Sequence, residues 1–187
     1  MKRTAVFLLL PALAGCLSAS SLKVTQWPLE YRGPVKTTRL PKYEVGRVSQ
    51  VIVRSPYNET GIAVLRADGS MAFDHYNEYA ANPTALLRSV AFDAMDASGL
   101  FGAVVNPSSS VRSSALVEVL IGRLAIDCRQ PGERKAVASV RVRIVADGER
   151  ALHAKGEGEA DAKGGNYGAA LSDALSTALN TAFAQFR

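Results

Sequence analysis

The sequence predicts an α+β fold: a mostly antiparallel sheet with two helices packed on one face, preceded by a cleaved signal peptide and a flexible tether. Three observations lead there. Two Asp-Gly pairs, Asp68-Gly69 and Asp147-Gly148, each join β-rich runs and suit hairpin turns, because glycine takes positive φ without a Cβ clash. Two segments carry apolar residues at helical spacing behind a start signal. The order is strands, hairpin, helix, strands, hairpin, helix, which suits segregated layers rather than alternating βα units.

The chain of 187 residues opens with Met1-Lys2-Arg3, a short positive start, followed by an almost unbroken apolar run from Ala5 to Leu13. About a dozen apolar residues cannot cross a ~30 Å hydrocarbon core as a helix, which takes about twenty. Residues 1–15 therefore read as a signal peptide. Leu13-Ala14-Gly15-Cys16 resembles the lipobox of bacterial lipoproteins, in which small residues admit the strand to a narrow peptidase site and the Cys thiol takes a diacylglycerol. Cys16 is the expected lipidation site, its freed amine taking a further acyl chain such as palmitate. Two or more chains hold stably at about 0.8 kcal/mol per buried methylene. Ala12-Leu13-Ala14 is also an A-x-A site, and cleavage there would release a soluble protein instead. Leu17 follows the Cys where Asp tends to retain proteobacterial lipoproteins at the inner membrane. The resemblance thus implies a lipid-anchored protein on the periplasmic face of the outer membrane.

Residues 16–42 read as a lipidated tether: Ser18, Ser20, Ser21, Pro28, Gly33, Pro34 and Pro41 favour extended chain. Trp27 and Tyr31 interrupt it and are expected to pin it to the domain as a first strand. The domain itself spans 43–187. Strands are expected over Tyr43 to Arg54, Ile62 to Arg66, Met71 to Asp74, Phe101 to Val105, Ala115 to Asp127, 136–146 and 150–161. In the strand over 136–146, Ala138, Val140, Val142 and Ile144 share one face while Ser139, Arg141 and Arg143 share the other, the pattern of a half-buried strand. Ala154, Gly156 and Gly158 form the inward face of its partner and leave room for a helix to sit close. The first helix has Asn82 as N-cap, Pro83 at its first position and Gly99 as its stop, with Leu86, Leu87, Val90, Ala91, Ala94 and Met95 on one face. The last opens after Gly164-Gly165-Asn166. Its stripe runs through Leu171, Leu175, Leu179 and Phe183, with Ser172, Asp173, Ser176, Thr177, Asn180 and Gln185 on the polar side. Lacking the Lys and Arg of a membrane-surface helix, it should dock on the sheet. Were that stripe exposed, it would indicate a homo-oligomer or partner interface, and a homo-oligomer stays open.

The formal charge is +5, but the 22 Lys and Arg include Lys2 and Arg3 of the signal, so the remainder carries 20 basic against 17 acidic groups. The cations are scattered rather than interleaved with aromatics, which gives no nucleic-acid footprint. There is no P-loop, G-x-S-x-G elbow or CxxC, and Gly156-Glu157-Gly158 lies in a strand, not a dinucleotide loop. His75 and Glu78 lack the further ligands zinc needs. No cofactor, metal or catalytic residue is expected. Cys128 has no partner once Cys16 is lipidated, so a buried inert thiol is its default reading.

From about Tyr43 onward the domain resembles the ABC-type transport auxiliary lipoproteins, the group containing paraquat-inducible protein C. The residues that carry the resemblance are Tyr43-Glu44-Val45-Gly46-Arg47-Val48, the hairpin strand ending at Arg66, Phe73-Asp74-His75-Tyr76-Asn77-Glu78-Tyr79 and Gly99-Leu100-Phe101. Ala80-Ala81 departs from the tryptophan or acidic residue common there. The resemblance implies a non-catalytic component of an MCE/ABC-type lipid transport system, moving phospholipid or another hydrophobic molecule, with an MCE-domain protein and an ABC transporter as partners. The alternatives are an outer-membrane assembly lipoprotein of the lipopolysaccharide-assembly type and a lipid-anchored enzyme. Phe73, Tyr76 and Tyr79, in a polar loop before the first helix, either cap the core or form a partner-contact patch.

Overall fold

The computed structural model describes residues 23–34 and 40–187; the expected signal peptide and Cys16 lie outside the described residues. The elements run β1 Thr25–Trp27, β2 Tyr43–Val53, β3 Gly61–Leu65, β4 Met71–Tyr79, α1 Pro83–Ala97, β5 Phe101–Val105, β6 Ala115–Asp127, β7 Lys135–Ala146, β8 Leu152–Asp161 and α2 Tyr167–Ala184. The strands make one eight-stranded sheet with β6 as its spine. β7 runs antiparallel along β6 from Ala115↔Ala146 to Asp127↔Lys135, and β8 pairs antiparallel with β7. The other edge of β6 is shared. β2 takes its first half (Gly46↔Ala115 to Val53↔Ile121) and β3 its last residues (Val64↔Ile126, Leu65↔Asp127), both parallel. β5 extends the sheet beyond β2, while β4 and then β1 extend it beyond β3.

The α+β class and the two helices agree with the sequence reading, but the sheet is mixed rather than mostly antiparallel. Four of its pairings are parallel (β1/β4, β2/β5, β2/β6, β3/β6) and three antiparallel. Alternation fixes the face a side chain takes, not the strand beside it or its direction. The hairpins supply local antiparallel pairs; each parallel pair joins segments well separated along the chain.

Both Asp-Gly pairs sit in turns. Gly69 (φ +81°) ends a three-residue loop in which its N–H donates to the Arg66 carbonyl at 3.0 Å, a hairpin connection as expected. Asp147-Gly148 lies at the centre of a turn closed by Glu149 N–H on the Ala146 carbonyl at 3.1 Å.

The helix starts follow from their caps. Asn82 Oδ1 accepts from the N–H groups of Thr84 (3.0 Å) and Ala85 (3.3 Å), and Asn166 Oδ1 from Ala169 (3.1 Å). Helix α1 stops before Gly99, whose φ of +67° an L-residue rarely adopts. It packs on β2 and β5 and touches α2, which lies on β8, β7 and β6. Both helices occupy the same face. Gly46 lies under Met95 of α1 and is in register with Ala115 and Ala146; six residues back along β7, an even number and so on the same face, Val140 is in register with Gly156, which lies under Ala178 of α2. A Cβ on Gly156 would overlap the Ala178 carbonyl oxygen, and one on Gly158 that of Ala174. The α2 backbone thus rests directly on the backbone of β8, and Leu171, Leu175, Leu179 and Phe183 are buried beside the contact.

Candidate functional site

The three aromatics do not form one patch. The segment Asp74–Glu78, expected as a loop, belongs to strand β4. Its polar residues are held there by β1, with Thr25↔Asn77 to Trp27↔Tyr79 in register, and by Trp27 Nε1, which donates to Asn77 Oδ1 at 2.8 Å. Between Gly61↔Glu78 and Ala63↔Phe73 the strand carries extra residues. Asp74 closes this bulge by accepting from Tyr76 N–H (2.8 Å) and the Asn77 side-chain amide (3.0 Å). Tyr79 is core, 4% exposed. Burial pushes its phenol pKa well above the ordinary tyrosine value, and its hydroxyl finds no partner among the described residues. Phe73 is half-buried beside Ala63, Ala125 and Val137. Tyr76 alone is open, at 54%. The patch reading therefore narrows to Tyr76 and its polar neighbours. Cys128 is a free thiol of intermediate exposure, packed against the main core.

The described part of the expected tether is docked. Beyond β1, Leu29 is buried, and the chain then runs along α2. Glu30 N–H donates to Ser172 Oγ (3.1 Å), Arg32 N–H to Ser176 Oγ (2.8 Å) and Tyr31 Oη to Asn180 Oδ1 (2.5 Å). These acceptors sit at i, i+4 and i+8, one above another on the helix. Ser172 and Ser176, read from sequence as solvent-facing, are buried beneath this strap. Trp27 covers the first turn of α2, where a Cβ on Gly168 would come within 2.9 Å of its ring. Burial raises the Tyr31 pKa, with the Asn180 hydrogen bond and the Arg187 charge opposing it.

The sheet face opposite the helices divides in two. At one end Tyr57, Leu65, Met71 and Phe73 pack over Ala63, Ala125 and Val137 in a small second core. At the other end no described residue covers the sheet. Ile52 and Leu116 are 44% and 41% exposed there. A groove of about 590 Å³ is lined by Ile52, Glu118, Leu120, Arg141, Arg143 and Lys155, among others. Register orders these side chains in rows. Ile52, Leu120, Arg141 and Lys155 form one row across β2, β6, β7 and β8, with Glu118, Arg143 and His153 in the next. Arg143 Nη1 reaches Glu118 Oε2 at 3.0 Å, so that pair is self-neutralised. Arg141 and the Lys155 ammonium form no ion pair among the described residues.

A second groove, by Asp127, Arg129, Glu133, Lys135 and Glu159, is closed on itself electrically. Arg129 bridges Asp127 at 2.6 Å and holds its carboxyl below the usual range, while Lys135 lies 3.5 Å from Glu133 and 3.8 Å from Glu159. No three His, Cys, Asp or Glu side chains converge on a metal-sized site among the described residues, and no described helix is long and apolar enough to cross a membrane.

The sequence reading marked Arg141 and Arg143 as facing water but did not join them to Ile52 and Leu120. The available signal was β6, where Ala115-Leu116-Val117 and Val119-Leu120-Ile121 are apolar on consecutive positions, as a strand with work on both faces would be.

No protein family model matches the chain, and no curated protein does. Solved structures resemble it in fold. The Xanthomonas campestris protein XCC0632, of the family DUF330, superposes with a TM-score of 0.65 at 15% identity over 87% of this chain and 94% of its own. An uncharacterised protein superposes with a TM-score of 0.57 at 15% identity, covering 78% and 90%. A PelC dodecamer from Paraburkholderia phytofirmans reaches only 0.44 at 12% identity over 84% and 94%, too distant for anything about this chain to follow. The chain is thus similar to the first two in overall fold.

Proposed function

We propose that the protein is a non-catalytic lipoprotein of the outer membrane that docks the periplasmic conduit of an MCE/ABC-type lipid transport system. The observation that carries this reading is Cys16 in a lipobox-like Leu-Ala-Gly-Cys, ahead of a domain with the auxiliary-lipoprotein motifs. Those motifs coincide with structural elements: Tyr43–Val48 with the start of β2, Phe73–Tyr79 with most of β4, and Gly99–Phe101 with the α1–β5 junction. Acyl chains on Cys16 hold the domain at the membrane, Tyr76 and its neighbours offer a contact to the MCE-domain partner, and ATP hydrolysis belongs to a separate subunit.

The test is capture from cross-linked envelopes of cells fed labelled palmitate. Wild type should carry label in the outer-membrane fraction and recover an MCE-domain protein. Cys16→Ala should lose the label. Tyr76→Ala should keep its melting temperature and recover at least tenfold less partner, about 1.4 kcal/mol. Equal label on Cys16→Ala, or capture of a lipopolysaccharide-assembly β-barrel in place of the MCE protein, contradicts the reading.

A further inference from the structure

We infer that the groove that the described residues leave open on the β2-β6-β7-β8 face binds one molecule of an anionic amphiphile, its apolar chain on Ile52 and Leu120 and its anionic head on Arg141 and Lys155. An exposed sheet face is ordinarily polar; here the aliphatic Ile52 and Leu120 hold outward positions on β2 and β6, and Arg141 and Lys155 hold the positions in register with them on β7 and β8. Neighbouring strands lie about 4.8 Å apart, so the row from Ile52 to Lys155 passes from apolar to cationic over roughly 14 Å. That is the polarity and scale of a chain joined to a charged head. A volume of about 590 Å³ falls within the roughly 300–1,000 Å³ range of small-molecule sites.

Charge complementarity selects an anion. Arg54 borders the adjoining recess with Arg141, Lys155 and Glu157, so with Arg143 and Glu118 four cations face two carboxylates, one of which is already paired. The apolar floor selects an amphiphile over a free anion, because exposed cations alone hold a small anion weakly. The site is a recess rather than a projecting apolar ridge, which suits a single molecule and not a bilayer surface. The inference goes beyond docking of a conduit and uses neither Cys16 nor Tyr76.

The experiment takes the full-length protein in neutral detergent with diazirine-bearing phosphatidylglycerol, and separately with phosphatidylcholine of identical chains, cross-links mapped by mass spectrometry. The anionic probe should label β2, β6 and β7 peptides at least tenfold more than the zwitterionic one. Excess unlabelled phosphatidylglycerol should compete, and inorganic phosphate should not. Arg141→Glu with Lys155→Glu should cut labelling at least tenfold at an unchanged melting temperature, whereas Lys163→Glu should not. Should the double reversal fail to fold, Arg141→Gln with Lys155→Gln must show the loss. Equal labelling by both probes, labelling that survives charge removal, cross-links outside this face, or full competition by phosphate each overturns the inference. So does a groove that takes up neither lipid and binds only an acidic protein. Partner capture is unaffected by any of these outcomes, so the two proposals fail separately.

Discussion

Along β7, Val140, Val142 and Ile144 enter the layer beneath α2, while their immediate neighbours Arg141 and Arg143 face water. The same strands thus present two surfaces built on different principles. On the helix side, Gly156 and Gly158 let α2 approach until backbone meets backbone, and every position is fixed by its neighbours. On the other side, near Ile52 and Leu120, none of the described residues covers the sheet. The contrast teaches that stability and recognition can be written on alternate residues of one strand, and that substitutions should separate along the same line.

The largest effect is expected at the closest approach. Gly158→Ala places a Cβ against the Ala174 carbonyl, which side-chain rotation cannot relieve. It should cost about 3 kcal/mol, at the upper end for overpacking, measured by urea denaturation. On the open face, Ile52→Ser should change stability by no more than about 0.5 kcal/mol. A tolerant Gly158 would mean that α2 sits farther from β8 than described.

An intermediate effect is expected at the strap. Ser172→Ala and Ser176→Ala each leave a backbone N–H, of Glu30 and Arg32, without its acceptor, at about 1 kcal/mol apiece. The double variant should also expose 28–34 to proteolysis before the domain unfolds. Unchanged protection would show that Trp27 and Leu29 hold the strap without these bonds.

The reach of sequence reasoning follows the same division. The α2 stripe, the small residues of β8, the Asn82 cap and the start of the last helix were legible because each is a local pattern with a local cause. Ser172 and Ser176 were misread because what covers them lies more than 140 residues away in the chain. Asp74–Glu78 was misread because its strand geometry comes from β1, not from its own polar residues. The parallel pairings left no trace in alternation. The groove was legible only in its cations: Arg141 and Arg143 read as facing water, whereas Ile52 and Leu120 join them through a register that only the fold supplies.

The smallest effect is expected at Tyr79. Its buried hydroxyl has no partner among the described residues, so Tyr79→Phe should leave stability unchanged or raise it by up to about 1 kcal/mol. The pH dependence has a definite sign. Burial raises the folded-state pKa above the unfolded value of about 10, so this group's contribution is complete below about pH 10 and is lost as pH rises toward the folded pKa. Tyr79→Phe should flatten that alkaline loss in thermal melts. An unchanged alkaline slope would assign it to other groups.

The division between the two faces is tested most directly by Arg141→Ala and Ile144→Val, neighbours on one strand that point to opposite sides, compared for phosphatidylglycerol cross-linking at matched folded fraction. Arg141→Ala should lose most of its labelling with its urea midpoint unchanged, while Ile144→Val should label like wild type although destabilised by about 1 kcal/mol. Labelling that follows stability in both variants, or that is indifferent to Arg141, would contradict the account.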